Sequence, residues 1–364
     1  MPMKYLVFTG GGTGGHVFPG LAVAEKLANE PDLDIIWLGS EKGIERDLVE
    51  NSGIPNLEFR PIPAGKLRRY LSFQNLTDLF RILGAFVVCL NIFMKVKPLG
   101  LFSKGGFVTV PPVWAAGLLG IKVFSHESDF DPGLATKLNL GFSSKVFVAY
   151  QETLESLSPR HRNKTVVTGN PIRSQILAGR PEDVEAFFSG LKTPSVRPLI
   201  LVLGGSLGAV QLNDLVVSVL NSLRGRAVVV HQHGTQWQAP EPEEGFYYPR
   251  AFLGPELPSL LAAADFALAR AGAGTLWELA AWKIPSLLIP LTAGSRGDQV
   301  RNARYFEKLG AVKVLLDPGV DEFRTMVEEF LKSDFRQSLR QRYTRLPLDP
   351  SEGIASIIRK EIRR

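Results

Sequence analysis

The segment Tyr5-Leu6-Val7-Phe8-Thr9-Gly10-Gly11-Gly12-Thr13-Gly14-Gly15-His16 decides the fold class. A short apolar run ends in glycines and gives way to a segment of helical period, the pattern of a buried parallel strand turning into its crossover helix. The arrangement returns near position 200, where Leu199 to Leu203 runs into Gly204-Gly205-Ser206-Leu207-Gly208. Around these two starts, Val-, Ile- and Leu-rich runs alternate with helical stretches. Ile35 to Leu38, Leu99 to Ser103, Val123 to Ser125, Val146 to Ala149 and Thr165 to Thr168 read as strands of the first half. Ala227 to Val230, Phe266 to Ala269, Ser286 to Ile289 and Val312 to Leu315 read as strands of the second. The expected class is α/β, with two doubly wound parallel sheets. The turn-rich Gly169-Asn170-Pro171 marks the boundary, giving domains 1–169 and 170–350. A last helix, 351–364, is expected to return to the first domain.

The bulk properties agree with this reading. A chain of 364 residues with 45% hydrophobic and 21% charged residues is long enough for two globular domains. The single cysteine, Cys89, offers no internal disulfide and fits a reducing compartment. The amino-terminal apolar run, Tyr5 to Phe8, is too short for a secretory signal, so a place inside the cell is expected. The longest apolar stretch, Ile82 to Met94, has 13 residues and includes Asn91, short of the ~20 that span a bilayer. The net charge of +6 is regional. Between Phe59 and His126, nine bases face one acid, Asp78, a local net of +8. No nucleic-acid partner is expected.

Glycines between a strand and a helix let backbone N–H groups approach an anion, and the helix start adds partial positive charge. Two such loops suggest a diphosphate ligand. Gly10-x-Gly12-x-x-Gly15 also satisfies a dinucleotide fingerprint, but the second strand ends Leu38-Gly39-Ser40 and the nearest acid is Glu41, which disfavours a nicotinamide cofactor. A third loop, Arg270-Ala271-Gly272-Ala273-Gly274-Thr275, leads to Glu278. A carboxylate there can accept both hydroxyls of a ribose, or be a solvated first-turn acid favoured by the helix dipole.

The run Gly10 to Ala24, GGGTGGHVFPGLAVA, resembles the murein-pathway N-acetylglucosaminyltransferases that convert lipid I to lipid II. The resemblance continues through Lys104-Gly105-Gly106-Phe107, His126-Glu127-Ser128-Asp129, Gly169 to Arg173, Gly204 to Ala209, Ala271 to Glu278 and Gln299 to Ala303. It implies a GT-B fold of two Rossmann-like domains, the first binding the acceptor and the second UDP-N-acetylglucosamine (UDP-GlcNAc). Site residues carried over are Ser206 for the diphosphate, Thr275 and Leu276 beside the phosphates, Glu278 for the ribose and Leu253 near the uracil, with Ala273, Gly274 and Trp277 as further UDP-GlcNAc-binding positions. Arg173 and Gln299 match further donor-site positions, and Thr13, Gly14 and Gly15 match a first-domain loop that closes over the donor. Asp129 matches another, where many members carry Asn. Leu207 stands where a polar residue is frequent.

The implied reaction is transfer of N-acetylglucosamine, with inversion, to the undecaprenyl-diphosphate-linked muramoyl-pentapeptide, forming lipid II for peptidoglycan. His16 is the first candidate for the base that takes the acceptor proton, since an imidazole titrates near ~6.5, although it could instead orient the loop. Glu127 and His126 are alternatives. Asp129-Phe130-Asp131 and Asp32-Leu33-Asp34 both read Asp-x-Asp; the duplication shows how little that pattern specifies, and neither a metal nor a cofactor is expected. Lys66 to Arg69, followed by Leu76, Leu79, Phe80, Leu83, Phe86, Val87, Leu90 and Phe93, gives a basic edge beside an apolar face. Part of that face must be core. The rest fits an anionic membrane surface, here the cytoplasmic face of the plasma membrane, as a peripheral protein.

Overall fold

A computed structural model describes residues 4–63, 73–189, 196–205, 208–293, 297–343 and 349–363, with the backbone alone for 73–79. Contacts divide the chain into two units, Met1–Arg173 with Asp349–Arg364, and Ser174–Leu348.

The first unit is built on a seven-stranded parallel sheet. Its strands are β1 (Lys4–Thr9), β2 (Leu33–Ser40), β3 (Leu57–Ile62), β4 (Gly100–Ser103), β5 (Val123–Glu127), β6 (Lys145–Val148) and β7 (Thr165–Val167), in the order β3-β2-β1-β4-β5-β6-β7. Alternate residues feed opposite faces of the sheet. Leu6 and Phe8 of β1 join Ile35 and Trp37 of β2 in one core. Val7, Ile36 and Leu38 join Leu101, Cys89 and Phe93 in the other. Both faces are covered, which is why these strands are apolar throughout. The stacked rings of Phe8 and Trp37 lie 6.0 Å apart.

The carboxyl-terminal helix Pro350–Ile362 belongs to this unit. Ile354, Ala355 and Ile358 are fully buried in the first core beside the helix Gly14–Leu27. Asp349 caps the helix, accepting from the Glu352 amide at 3.0 Å, and pairs with Lys26 at 3.0 Å. The Ser351 hydroxyl accepts from the Ile172 amide (3.0 Å) and donates to the Ile172 carbonyl (2.8 Å). One serine thus joins the two segments at which the chain leaves this unit and re-enters it.

The second unit repeats the plan with six parallel strands: β8 (Leu199–Leu203), β9 (Val228–Gln232), β10 (Tyr247–Arg250), β11 (Phe266–Ala269), β12 (Ser286–Leu288) and β13 (Val312–Val314), ordered β10-β9-β8-β11-β12-β13. In each sheet the strand order reverses beside the first strand, between β1 and β4 and between β8 and β11. The crevice at the carboxyl ends of such a pair is where open α/β sheets take their ligands. Every glycine loop singled out in the sequence leaves one of these four strands.

Candidate active site

At the first reversal, Gly10 to Thr13 connects β1 to the helix Gly14–Leu27, while Lys104-Gly105-Gly106 leaves β4. The Lys104 amide donates to the Thr9 carbonyl at 2.9 Å, holding the loops together. Only glycine fits at 106: its φ is +87°, and a Cβ would stand 2.5 Å from the Gly11 carbonyl oxygen. The half-buried His16 ring lies against this backbone. Its Nδ1 is 3.2 Å from the Gly11 carbonyl oxygen and 3.2 Å from Thr13 Oγ1. A carbonyl can only accept, so Nδ1 carries the proton and Nε2 is the basic nitrogen. Burial, and then the Lys104 ammonium, hold the His16 pKa below the ordinary histidine value, against the opposite pull of Glu127 and Glu45.

Lys104 is 2% exposed. Burial lowers its pKa, while the facing carboxylates of Glu127 and Asp129 raise it. Glu127 is not an idle carboxylate. Oε1 accepts from the Asp129 amide (3.1 Å), and Oε2 accepts from the Gly133 amide (2.9 Å) and Thr136 Oγ1 (2.7 Å). It organises the turn into the helix Leu134–Asn139. His126 is 1% exposed and donates Nε2–H to the Gly169 carbonyl at 3.1 Å. Burial keeps its pKa well below the ordinary value, so it remains neutral. The neighbouring Ser128 hydroxyl donates to Asn170 Oδ1. Glu127 is taken up by three donors, and the bare Nδ1 of His126 is buried, so of the three candidate bases His16 is the one whose ring is not fully buried.

One expectation for this unit changes. The first glycine loop does not offer the Gly12 amide to a ligand phosphate, because that amide donates to Glu45 Oε2 at 3.1 Å. Glu45 is fully buried, and nothing around it in sequence marks it as part of the loop. Arg173, matched to donor-site positions, lies in the first unit with its guanidinium 4.1 Å from the centroid of the Phe18 ring. Thr13 and Gly15 are exposed and Gly14 half-buried at the helix start.

At the second reversal, Gly204 and Gly205 follow β8; Ser206 and Leu207 lie outside the described residues. Gly208 has φ +80°, and a Cβ would stand 2.2 Å from the His233 carbonyl oxygen. Gln232, at the end of β9, fixes this loop, donating to the Gly205 carbonyl at 2.9 Å and accepting from the Leu253 amide at 3.4 Å. Leu253 itself is 1% exposed. Arg270 follows β11 and donates to Gln211 Oε1 (3.0 Å) and to the Ile289 carbonyl (2.8 Å). Gly272 then caps the helix Ala273–Ala281. A Cβ on Gly272 or Gly274 would meet nothing within 4 Å, so the helix start has open space beside it. Ala273, Gly274, Thr275 and Glu278 are half-buried at this end, whereas the side chains of Leu276 and Trp277 are in the core, Trp277 edge-on to Phe306. Only the backbone of those two can meet a ligand. Gln299 accepts from the Leu291 amide at 2.9 Å, tying the helix Asp298–Lys308 to the loop after β12.

The apolar helix Phe73–Val96 has two faces. Ile82, Ala85, Cys89 and Phe93 are buried against the sheet, while Phe80 (66%), Leu83 (52%), Val87 (54%) and Met94 (54%) are exposed. Phe86 and Leu90 lie between, Phe93 belongs to the core, and the side chains of Leu76 and Leu79, with Lys66, Arg68 and Arg69, fall outside the described residues. No helix among the described residues is long and apolar enough to cross a membrane.

Residues 6–148 match the glycosyltransferase family 28 N-terminal domain, and residues 199–344 the glycosyltransferase family 28 C-terminal domain. The UDP-N-acetylglucosamine--N-acetylmuramyl-(pentapeptide) pyrophosphoryl-undecaprenol N-acetylglucosamine transferase of Treponema denticola is 47% identical over 336 residues, covering 87% of this chain and 85% of that protein. The same-named transferase of Borrelia turicatae is 34% identical over 98% of this chain and 97% of its own. Among solved structures, Acinetobacter baumannii MurG superposes with a TM-score of 0.74 at 23% identity, covering 98% of this chain and 99% of that one. With both of its halves matched in order and relatives aligned along most of its length, the chain belongs to glycosyltransferase family 28.

Proposed function

We propose that this protein transfers N-acetylglucosamine from UDP-N-acetylglucosamine to pyrophosphoryl-undecaprenol-linked N-acetylmuramyl-pentapeptide, turning lipid I into lipid II in peptidoglycan synthesis. The identity of 34–47% to transferases named for this reaction, along 86–98% of the chain, carries the reading. The second unit takes the donor. The diphosphate meets the loop Gly204–Gly208, including Ser206, and the start of the helix Ala273–Ala281, whose amides and dipole favour negative charge. Glu278 accepts from the ribose hydroxyls, and Gln299, on the same unit, completes the donor set. The first unit takes the acceptor.

In the reaction, His16 Nε2 removes the proton of the muramoyl hydroxyl as its oxygen forms a bond to the anomeric carbon. The bond from that carbon to the diphosphate breaks, and its electron pair leaves with UDP. Attack opposite the leaving group inverts the α-linked sugar to a β-1,4 product. The exposed Phe80, Leu83, Val87 and Met94 then meet the cytoplasmic leaflet where the lipid acceptor lies, with the +8 segment Phe59 to His126 favouring anionic headgroups.

The deciding assay is UDP release from UDP-GlcNAc with and without a short-chain lipid I analogue. Release that requires the analogue and is lost in Glu278→Ala supports the function. Release with a diacylglycerol acceptor alone would move it to another lipid.

A further inference from the structure

Gly12 N–H and Gly11 C=O belong to one planar peptide unit, and they point in opposite directions. The N–H donates to Glu45 Oε2 at 3.1 Å, while the carbonyl accepts from His16 Nδ1 at 3.2 Å. A buried carboxylate and the imidazole thus hold the two ends of the same amide. The remaining capacity of Glu45 is used on β2, where Oε1 accepts from the Ser40 amide at 2.8 Å and from the Ser40 hydroxyl.

The space for this carboxylate is made by three glycines, Gly11 on the loop after β1 and Gly39 and Gly43 just ahead of Glu45 in the chain. A Cβ on Gly11 would stand 2.5 Å from Glu45 Cδ, one on Gly39 2.8 Å from Cγ, and one on Gly43 2.2 Å from Oε2. On the other side, the Trp37 indole donates to the Gly10 carbonyl at 3.1 Å. The loop is therefore held at Gly10 and at the Gly11–Gly12 peptide.

We propose that Glu45 is a positioning residue for His16, acting through the Gly11–Gly12 peptide to keep the Nδ1 proton on the loop and leave Nε2 bare toward the acceptor hydroxyl. This rests on the reading of His16 as the base. A charge-assisted hydrogen bond at the N–H draws electron density toward the carbonyl oxygen and makes it a better acceptor, so the Nδ1–H tautomer is favoured over its alternative. The Thr13 hydroxyl, 3.2 Å from the same Nδ1, then accepts as well. The arrangement does what a carboxylate touching a histidine does elsewhere, with one peptide inserted between them.

The test is the tautomer itself, read from long-range proton–nitrogen spectra of histidine-labelled protein, with His16→Asn identifying the His16 signals. Wild type is expected to carry the Nδ1 proton with Nε2 unprotonated. Glu45→Gln should move His16 toward the Nε2–H form and lower kcat by about 10–100-fold, with the KM for UDP-GlcNAc within about twofold. Glu45→Asp, which keeps the charge, should recover part of the loss. An Nε2–H tautomer in wild type overturns the proposal without any variant. So does an unchanged tautomer in folded Glu45→Gln while His16→Asn is inactive. Full turnover in His16→Asn would overturn the role of His16 as base, and this proposal with it.

Discussion

Thr136 Oγ1 donates to Glu127 Oε2 at 2.7 Å, and with the Gly133 and Asp129 amides it gives that carboxylate three donors from its own chain. The Glu127 carboxylate acts on His16 only through its charge, and the two differ in what their loss should do. Glu127→Gln places an amide hydrogen against a donor and should cost about 1–3 kcal/mol, lowering Tm by several degrees. His16→Asn should lower kcat by about 10²–10⁴-fold with Tm within about 2 °C of wild type. Calorimetry and turnover on both variants check this; equal Tm and equal kcat losses would make the assignment of roles wrong.

The pH profile should carry the mark of Lys104. Turnover needs neutral His16, so kcat/KM rises as pH rises through the His16 pKa. That pKa is held down first by burial and then by Lys104, while Glu127 and Glu45 pull it up. The acid limb should therefore fall below pH ~6.5 in wild type and move to higher pH in Lys104→Met, where the charge is gone and the length kept. A limb that stays in place while the rate falls would mean that Lys104 acts only through packing.

The loops that carry the candidate site were legible in the sequence because a strand running into glycines is a local signal, and both sheets reverse at the strands that carry such loops. Two strands were not legible. Leu57–Ile62 contains Pro61 and Tyr247–Arg250 contains Pro249, and proline breaks the apolar run by which a strand is read. Both lie at sheet edges, where a missing N–H costs no ladder bond. Glu45 was invisible for another reason: its carboxylate meets Gly11 and the Gly12 amide, on the loop after β1, which only the fold brings to it. The helix Phe73–Val96 is apolar nearly all round, so its period could not say that Phe93 faces the core and Phe80 solvent.

That exposed face should respond to substitution without a stability cost. Phe80→Ser, Leu83→Ser and Val87→Ser together remove side chains that are 66%, 52% and 54% exposed. Sedimentation with vesicles containing anionic lipid should fall by at least about tenfold, since each large apolar side chain withdrawn from water contributes up to about 1.5–3 kcal/mol when fully buried. Tm should stay within about 2 °C of wild type. Unchanged sedimentation would place the membrane contact elsewhere.

On the opposite face of the helix, burial pushes the Cys89 thiol up to about 12. At pH 8 its thiolate is scarcer than that of a solvated cysteine by about a thousandfold, so iodoacetamide should label it at least that much more slowly in native protein than in denaturant. Mass spectrometry of the alkylated chain reads this directly, and rapid native labelling would show that the helix leaves its sheet.

His231 couples pH to the stability of the second unit. It is fully buried in the second unit, with Nδ1 2.9 Å from the Tyr247 hydroxyl and Nε2 3.0 Å from Asn213 Oδ1. The Asn213 amide nitrogen donates to the His233 carbonyl, so Oδ1 must be the atom facing the ring, and His231 is neutral with its proton on Nε2. Burial, with a smaller push from His233, lowers its pKa to about 3. Between that value and ~6.5 the unfolded chain binds a proton that the folded one refuses, so stability falls as pH falls through this window. At pH 5 the loss from this group is about 2 kcal/mol, equivalent to about 4–8 °C in the Tm of a unit this size. His231→Phe should be less stable than wild type at pH 7.5, because it strands the Tyr247 and Asn213 groups. Its further decline from pH 7.5 to pH 5 should nevertheless be smaller than that of wild type by about this amount. If the two proteins decline in parallel, the acid sensitivity of the second unit has another source.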